Sequence, residues 1–403
     1  MISGMRSLKQ ALMPIIWLNC LFCMGIFEIP ANRPRFLLSA FYVVSMTIAY
    51  FSLLYKGLAM FQEKFTYDLI VYYSVLIINI LVATLAIILF WCKAENLNSI
   101  IKRFSIIDNT IEVLGIKRDY QRTHRNVLYI MAIWIIIMLL LNIMHIIWMY
   151  QDTISLGYLG MFLTDLCFCI PILTNSVVDI TFASLIRCLQ LKFQTTNVLI
   201  NKVVLRANKS SIFKIHDQHT SMAIVTINYE NQKDKILHLI QTLRHTHLEI
   251  TRIAQQINRT YCTQLLLEMA VHFTVVTACI YCMYGALTGQ FHVIVHTEKL
   301  IAMIAWALIY SFKIIFVNFL CTSVSEEAYK TGEIMQSFDG LNTDDAMREE
   351  ITQFTQQIIL NSLTFTASGF FSIDNTLTGK FFATVTTYVV ILIQMNTPLY
   401  VDD

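Results

Sequence analysis

With 403 residues, 56% hydrophobic and only 14% charged, the chain is too apolar for a soluble protein of two or three domains; it reads as an all-α, polytopic membrane protein set in a lipid bilayer. The formal charge of +2 gives no electrostatic basis for a nucleic-acid partner. Ten cysteines form no zinc-ligand pattern; Cys20/Cys23 and Cys279/Cys282 have C-x-x-C spacing but lie inside apolar runs and read as small buried hydrophobes.

In chain order, residues 1–35 come first, as a cytosolic N-terminal segment. Their apolar run, 12–27, is interrupted by Pro14 and Asn19 and has no small-residue cleavage site, so it reads as an interfacial or partly re-entrant helix. A spanning helix needs roughly 20 mostly apolar residues. Seven segments qualify: about 36–60, 69–92, 127–150, 157–185, 264–287, 300–321 and 377–394. Sidedness follows from the basic residues. The link after the second span carries Lys93, Lys102, Arg103, Lys117, Arg118, Arg122 and Arg125, and the link after the fourth carries eleven Lys and Arg from Arg187 to Arg259. The opposite links hold little beyond Lys64 and Lys299. This predicts a cytosolic N-terminus and an extracellular C-terminus, the reverse of a G-protein-coupled receptor. The sequons at Asn208 and Asn258 then fall on the cytosolic side and read as unused matches.

The chain thus divides into the segment 1–35, spans one to four within 36–185, a cytosolic extension and loop over 186–263, spans five and six within 264–324, a cytosolic region 325–374, and the seventh span with its extracellular tail, 375–403. No Gly or Pro occurs from Ile172 to Tyr284. Both residues punctuate helices, so spans four, five and six are expected to continue into the cytoplasm and pack there as a bundle, with a mobile polar loop near 206–232. Residues 344–366 read as a helix with acids in its first turns, which Gly369 breaks before the last span. The acids of 325–374 either raise the local cation concentration or form an ordinary solvated face.

The last span is not uniformly apolar. Thr376, Lys380, Thr384, Thr387, Ile391 and Gln394 recur at spacings of three and four and share one side of a helix. Such a stripe must face protein or water, because polar groups facing lipid are costly. It either packs against helices of its own subunit or, in several copies around an axis, walls a pore.

This span reads Thr387-Tyr388-Val389-Val390-Ile391-Leu392-Ile393-Gln394, and upstream stands Phe365-Thr366-Ala367-Ser368-Gly369-Phe370-Phe371-Ser372-Ile373-Asp374. Both resemble the C-terminal signature of insect gustatory receptors. The resemblance implies a tastant-gated, non-selective cation channel in the plasma membrane of a sensory neuron. It would be a homotetramer or a heterotetramer with related subunits, with a cytosolic helical anchor domain and no cofactor. Gln394 would form the extracellular gate, with Ile391 one turn below and Thr387 on the same stripe. Tyr388 would face the packing behind the pore. Met395 replaces the family's usual Phe and would make the constriction more pliable. Lys380 fits a cation-conducting wall poorly, so its ammonium is expected to reach the cytosolic boundary or an acidic partner.

The resemblance also implies a ligand pocket among the outer halves of spans two to six. Aromatic and polar residues at that depth include Tyr72, Trp148, Tyr158, Thr164, Asp165, Trp306 and Tyr310, with Gln290 and His292 beyond them. Trp and Tyr also anchor membrane interfaces, so each has that second reading. Asp165 is the sharpest candidate, since an intramembrane carboxylate either serves function or pairs within the bundle. Glu268 and His272 can pair one turn apart on span five. Residues 300–306 are almost wholly apolar, which argues for a tastant less polar than a sugar. His292 and His296 are a weak metal candidate, and no catalytic motif is readable, so no enzyme is expected. A receptor acting through a G protein and a secondary transporter are the alternatives; the latter would show an internal repeat, and none is visible.

Overall fold

The computed structural model describes residues 7–28, 34–60, 67–153, 157–216, 222–288, 297–338 and 345–396. It is almost wholly helical: α1 (Leu8–Ala11), α2 (Met13–Leu21), α3 (Phe36–Met60), α4 (Tyr67–Cys92), α5 (Ala94–Val113), α6 (Tyr120–Thr153), α7 (Gly157–His216), α8 (Met222–Thr288), α9 (Thr297–Gln336), α10 (Asp345–Leu360) and α11 (Asn375–Asn396), with a small hairpin of β1 (Thr366–Ala367) and β2 (Phe371–Ser372). Seven of these helices are long and apolar enough to cross a membrane, and they match the seven predicted spans.

The three long helices organise the rest. At 1.5 Å per residue, the 67 residues of α8 extend about 100 Å, some three times a bilayer's hydrocarbon thickness. Helices α7 and α9 add 60 and 40 residues. The expected continuation of spans four to six is therefore present, but the loop expected over 206–232 is largely helix. With no Gly or Pro to stop it, α7 runs to His216 and α8 resumes at Met222. We call the end where α5 and α10 pack on α8 the base, and the opposite end, where α6 stops and α7 starts, the crown.

Helix α7 is the hub and packs against α9, α8, α6, α4 and α3. In its most apolar window 78% of residues are buried, against 6% in α3, which therefore lies at the periphery with Leu37, Phe41 and Tyr55 exposed. Interior position lets α7 carry many polar residues, several of which bond neighbouring helices. Pro171 lies inside this helix and cannot bond the carbonyl of Cys167; the Tyr50 hydroxyl of α3 donates to that oxygen instead, at 3.2 Å. Asn175 donates to the Asn79 side-chain oxygen of α4 at 3.2 Å.

At the base, polar side chains join helices distant in sequence. Asn197 of α7 donates to the backbone and side-chain oxygens of Glu327, both at 2.9 Å, and accepts from Thr331 at 2.6 Å. Arg244 of α8 pairs with Glu350 of α10 at 2.5 Å. Helix α5, which the sequence reading passed over as a link, buries Ile100, Phe104, Ile107 and Ile111 and packs on α8. Its buried Asp108 bonds Lys192 of α7 and accepts from the Tyr120 hydroxyl at 3.1 Å. Of the apolar run near the N-terminus, residues 13–21 form α2, which docks with the preceding α1 on α6 and α7, and Asn19 reaches the Thr181 hydroxyl at 2.9 Å. All ten cysteines are free; burial pushes the Cys20 and Cys23 thiols up to about 11, so they stay protonated.

One local expectation fails. The helix read over 344–366 stops at Leu360, and Gly369 does not break it; Ser368 and Gly369, at φ 50° and 80°, form the turn of the hairpin. Two consecutive positive φ values suit the mirror-image turns that close hairpins. Beyond the end of α10 the chain turns Phe365 inward, 1% exposed and edge-on to Phe182.

Candidate functional site

The hairpin fixes where the last helix begins. Asn258 of α8 accepts from the Thr366 backbone N–H at 3.1 Å and donates to its hydroxyl at 3.3 Å, so this sequon asparagine has a structural role. Asp374 then caps α11. It accepts from the N–H groups of Thr376 and Leu377 at 2.9 and 3.1 Å and from the Thr376 and Ser372 hydroxyls at 2.5 and 2.8 Å. The Thr376 hydroxyl, followed by the others, holds this carboxyl below its usual range.

From that start α11 packs through one face only. Phe381, Val385 and Val389 are buried against α8 and α9, with Leu377, Phe382 and Ile393 partly buried beside them. Tyr388 flanks this face, edge-on to Phe273 at 5.3 Å, yet remains half exposed. Thr376, Lys380, Thr384, Thr387, Ile391, Gln394 and Met395 are all exposed on the single chain. The stripe therefore does not pack against helices of its own subunit. Thr384 and Thr387 donate their hydroxyl protons to the carbonyls of Lys380 and Ala383, at 2.8 and 3.0 Å, which leaves oxygen lone pairs as their outward groups. Among the described residues no acidic side chain of the same chain pairs with Lys380.

A second cluster lies between α6, α7, α8 and α9. Asp165 of α7 pairs with His145 of α6 at 2.6 Å. The His145 ring stacks on Phe168 at 4.3 Å, and the Trp306 ring of α9 meets both edge-on. Trp306 stacks on Tyr310 at 5.7 Å, and Tyr310 tilts against His272 of α8 at 5.2 Å. Beyond them Lys313 pairs with Asp179 at 3.0 Å and bonds Ser176 at 2.7 Å. Pairing is what makes these intramembrane charges tolerable. Asp165, Trp306 and Tyr310 thus lie along one run of contacts that passes through His145.

The other candidates behave differently. Thr164 is buried, with its hydroxyl donated to the backbone of Gly160 and Met161. Tyr158 is 92% exposed at the crown, away from the cluster. Gln290, His292 and His296, and the side chains of Tyr72 and Trp148, lie outside the described residues. Glu268 and His272 are both buried but do not pair through side chains: Glu268 accepts from Gln264 at 3.0 Å, while His272 Nδ1 bonds the Glu268 carbonyl at 2.5 Å. That bond puts the ring proton on Nδ1, so Nε2 offers a lone pair. Both His272 Nε2 and Trp306 Nε1 are buried with no hydrogen-bond partner among the described residues. A buried acceptor and a buried donor on either side of Tyr310 call for water or a ligand. The apolar run 300–306 says less about the pocket than expected, because Ile301 and Ile304 point outward and only Ala302, Met303 and Trp306 point in.

The architecture is thus a seven-helix membrane protein with long helices meeting at one end, an interior polar cluster, and a last helix whose polar side is uncovered. The profile of the 7tm Chemosensory receptor family matches residues 12–396, and the chain belongs to that family, one of receptors rather than enzymes. Among Drosophila melanogaster relatives, the chain is 23% identical over 322 residues to a protein named as gustatory receptor 28b, covering 75% of this chain and 64% of the relative. It is 31% identical over 153 residues to gustatory and pheromone receptor 32a, covering 37% of this chain and 32% of that one. The fold is similar to the insect olfactory receptor OR5 of Machilis hrabei, solved in complex with eugenol, with a TM-score of 0.70, 10% identity, and coverage of 96% of this chain and 98% of that one.

Proposed function

We propose that the chain is one subunit of a tastant-gated cation channel, with four last helices walling the pore and a ligand pocket at the Asp165–Trp306–Tyr310 cluster. The observation that carries this reading is the uncovered polar stripe of α11. Hydrocarbon cannot solvate those hydroxyls and the Gln394 amide, whereas a water-filled axis can. The threonine lone pairs suit cations, and Gln394 and Met395 at the crown end would form the narrow gate. The subunits are identical or closely related copies, joined at the base, in the plasma membrane of a sensory neuron with the N-terminus in the cytosol. The eugenol complex of the Machilis hrabei receptor supports a small, largely apolar aromatic ligand here as well. Such a ligand opens the pore only through tighter binding to the open arrangement.

Expression of the full chain alone, with patch recording during a tastant screen, tests this. Gln394→Lys is expected to lower cation over anion permeability on the order of 10-fold, the effect of a unit charge at pore distances. Thr387→Cys should become reactive to a water-borne cationic thiol reagent, while the buried Val385→Cys should not. Unaltered permeation in the first variant and no reaction in the second would remove α11 from the pore. Currents abolished by blocking G-protein turnover would point instead to a receptor acting through a cytosolic partner.

A further inference from the structure

The cluster around Asp165 has a second chemistry, independent of the channel reading. Asn142 and His145 stand three residues apart on α6, and Asp165 and Cys169 four apart on α7, so each pair shares one face of its helix. The faces meet. His145 Nδ1 lies 2.6 Å from Asp165 Oδ1, Cys169 Sγ lies 3.6 Å from that same oxygen, and Cys169 Sγ lies 2.8 Å from Asn142 Oδ1. The donor atoms of His145, Asp165 and Cys169 all fall within 4.8 Å of one another. We infer that these four side chains form a zinc site bridging α6 and α7.

The donor set suits this ion. Imidazole, carboxylate and thiolate are zinc's usual ligands, and the Asn142 carbonyl or a water completes four. Tetrahedral zinc with bonds of about 2.0–2.3 Å separates its donors by roughly 3.3–3.7 Å. The Asp165–Cys169 distance already matches, and the His145–Asp165 contact has to open by less than about an ångström. Paired residues one turn apart on facing helices are the arrangement by which helical bundles hold metals. Stacking on Phe168 fixes the plane of the His145 ring in advance. His145 is buried, while the Asp165 side chain keeps 16% of its surface exposed, which leaves a way in. Binding releases the Cys169 thiol proton and requires the imidazole proton to sit on Nε2. A second cluster, Asp179, Glu268 and His272, is equally compact but already holds the Lys313 ammonium against Asp179 and is a poorer cation site.

Zinc bound here would tie α6 to α7 beside Trp306. The test uses the purified full-length chain in lipid nanodiscs, stripped of metal and titrated with cobalt(II). The intact chain is expected to develop the absorption bands of four-coordinate cobalt and a thiolate-to-cobalt charge-transfer band, both erased by zinc. Cys169→Ser should lose the charge-transfer band. Asp165→Asn, which keeps a hydrogen-bonding group beside His145, should weaken zinc competition by at least about 100-fold, the upper range for losing even an outer partner of a metal. Metal-free melting temperatures of both variants are measured alongside, and zinc should raise the melting temperature of the intact chain only. Absence of cobalt bands in the intact chain, or an unchanged charge-transfer band in Cys169→Ser, overturns the assignment.

Discussion

At the residue scale, the entry to α11 rests on a few backbone and capping choices. Gly369 sits at φ 80° with no atom within 4 Å of where a Cβ would project. A side chain there meets torsional strain without steric obstruction. Gly369→Val is therefore expected to cost about 1–2 kcal/mol, and Gly369→Asn, which tolerates this region, clearly less. Thermal unfolding of the detergent-solubilised chain compares them; equal losses would mean the turn does not set the hairpin. Asp374→Ala should cost about 1 kcal/mol as a lost N-cap. The Asp374 carboxyl is held below its ordinary 3.8, so its contribution is complete above that value and disappears as pH falls through the lowered one. Stability of the wild type should thus decline more steeply than that of Asp374→Asn below about pH 4. The stripe itself was legible, because spacings of three and four identify a helix face. Whether its own subunit covers that face was not, since sequence does not reveal which neighbour lies where. The pairing of Asp165 with His145 was likewise invisible: the two sit on different helices whose relative register no local pattern encodes.

At the element scale, α5 shows a readable signal left unread. Ile100, Phe104, Ile107 and Ile111 recur at helical spacing within a stretch noted only for its charges. The overextended reading of 344–366 has a different cause. No Gly or Pro stands between Leu360 and Phe365, and Asn361 and Ser362 are weaker stop signals; the chain leaves the helical path there, and Phe365 is buried against Phe182. The junction of α5, α6 and α7 makes a measurable claim. Asp108 is 2% exposed and relies on Lys192 and Tyr120. Lys192→Met strands the carboxylate and is expected to cost about 3–5 kcal/mol, whereas Lys192→Met combined with Asp108→Leu should recover most of it. Thermal unfolding of the two variants decides; a double variant no better than the single would mean that packing, not charge, governs the joint.

At the scale of the whole molecule, the seven spans and the continuation of the fourth to sixth were readable from composition and from the missing Gly and Pro. Orientation was inferred from basic residues and has a direct check. An epitope tag at the N-terminus should stay hidden from antibody on intact cells, and one at the C-terminus should be labelled. The opposite pattern would invert the assignment of base and crown to the two compartments.

Helix α8 has one further consequence. It is continuous from the base, where Arg244 meets Glu350, to His272 at the polar cluster, and it carries Phe273 against the last helix. An unbroken rod of this kind has no joint at which to absorb a tilt. Leverage applied near His272 must reappear at Arg244, and its first passenger is Tyr388. Two glycines set midway along it would leave both ends intact while severing the mechanical linkage between them.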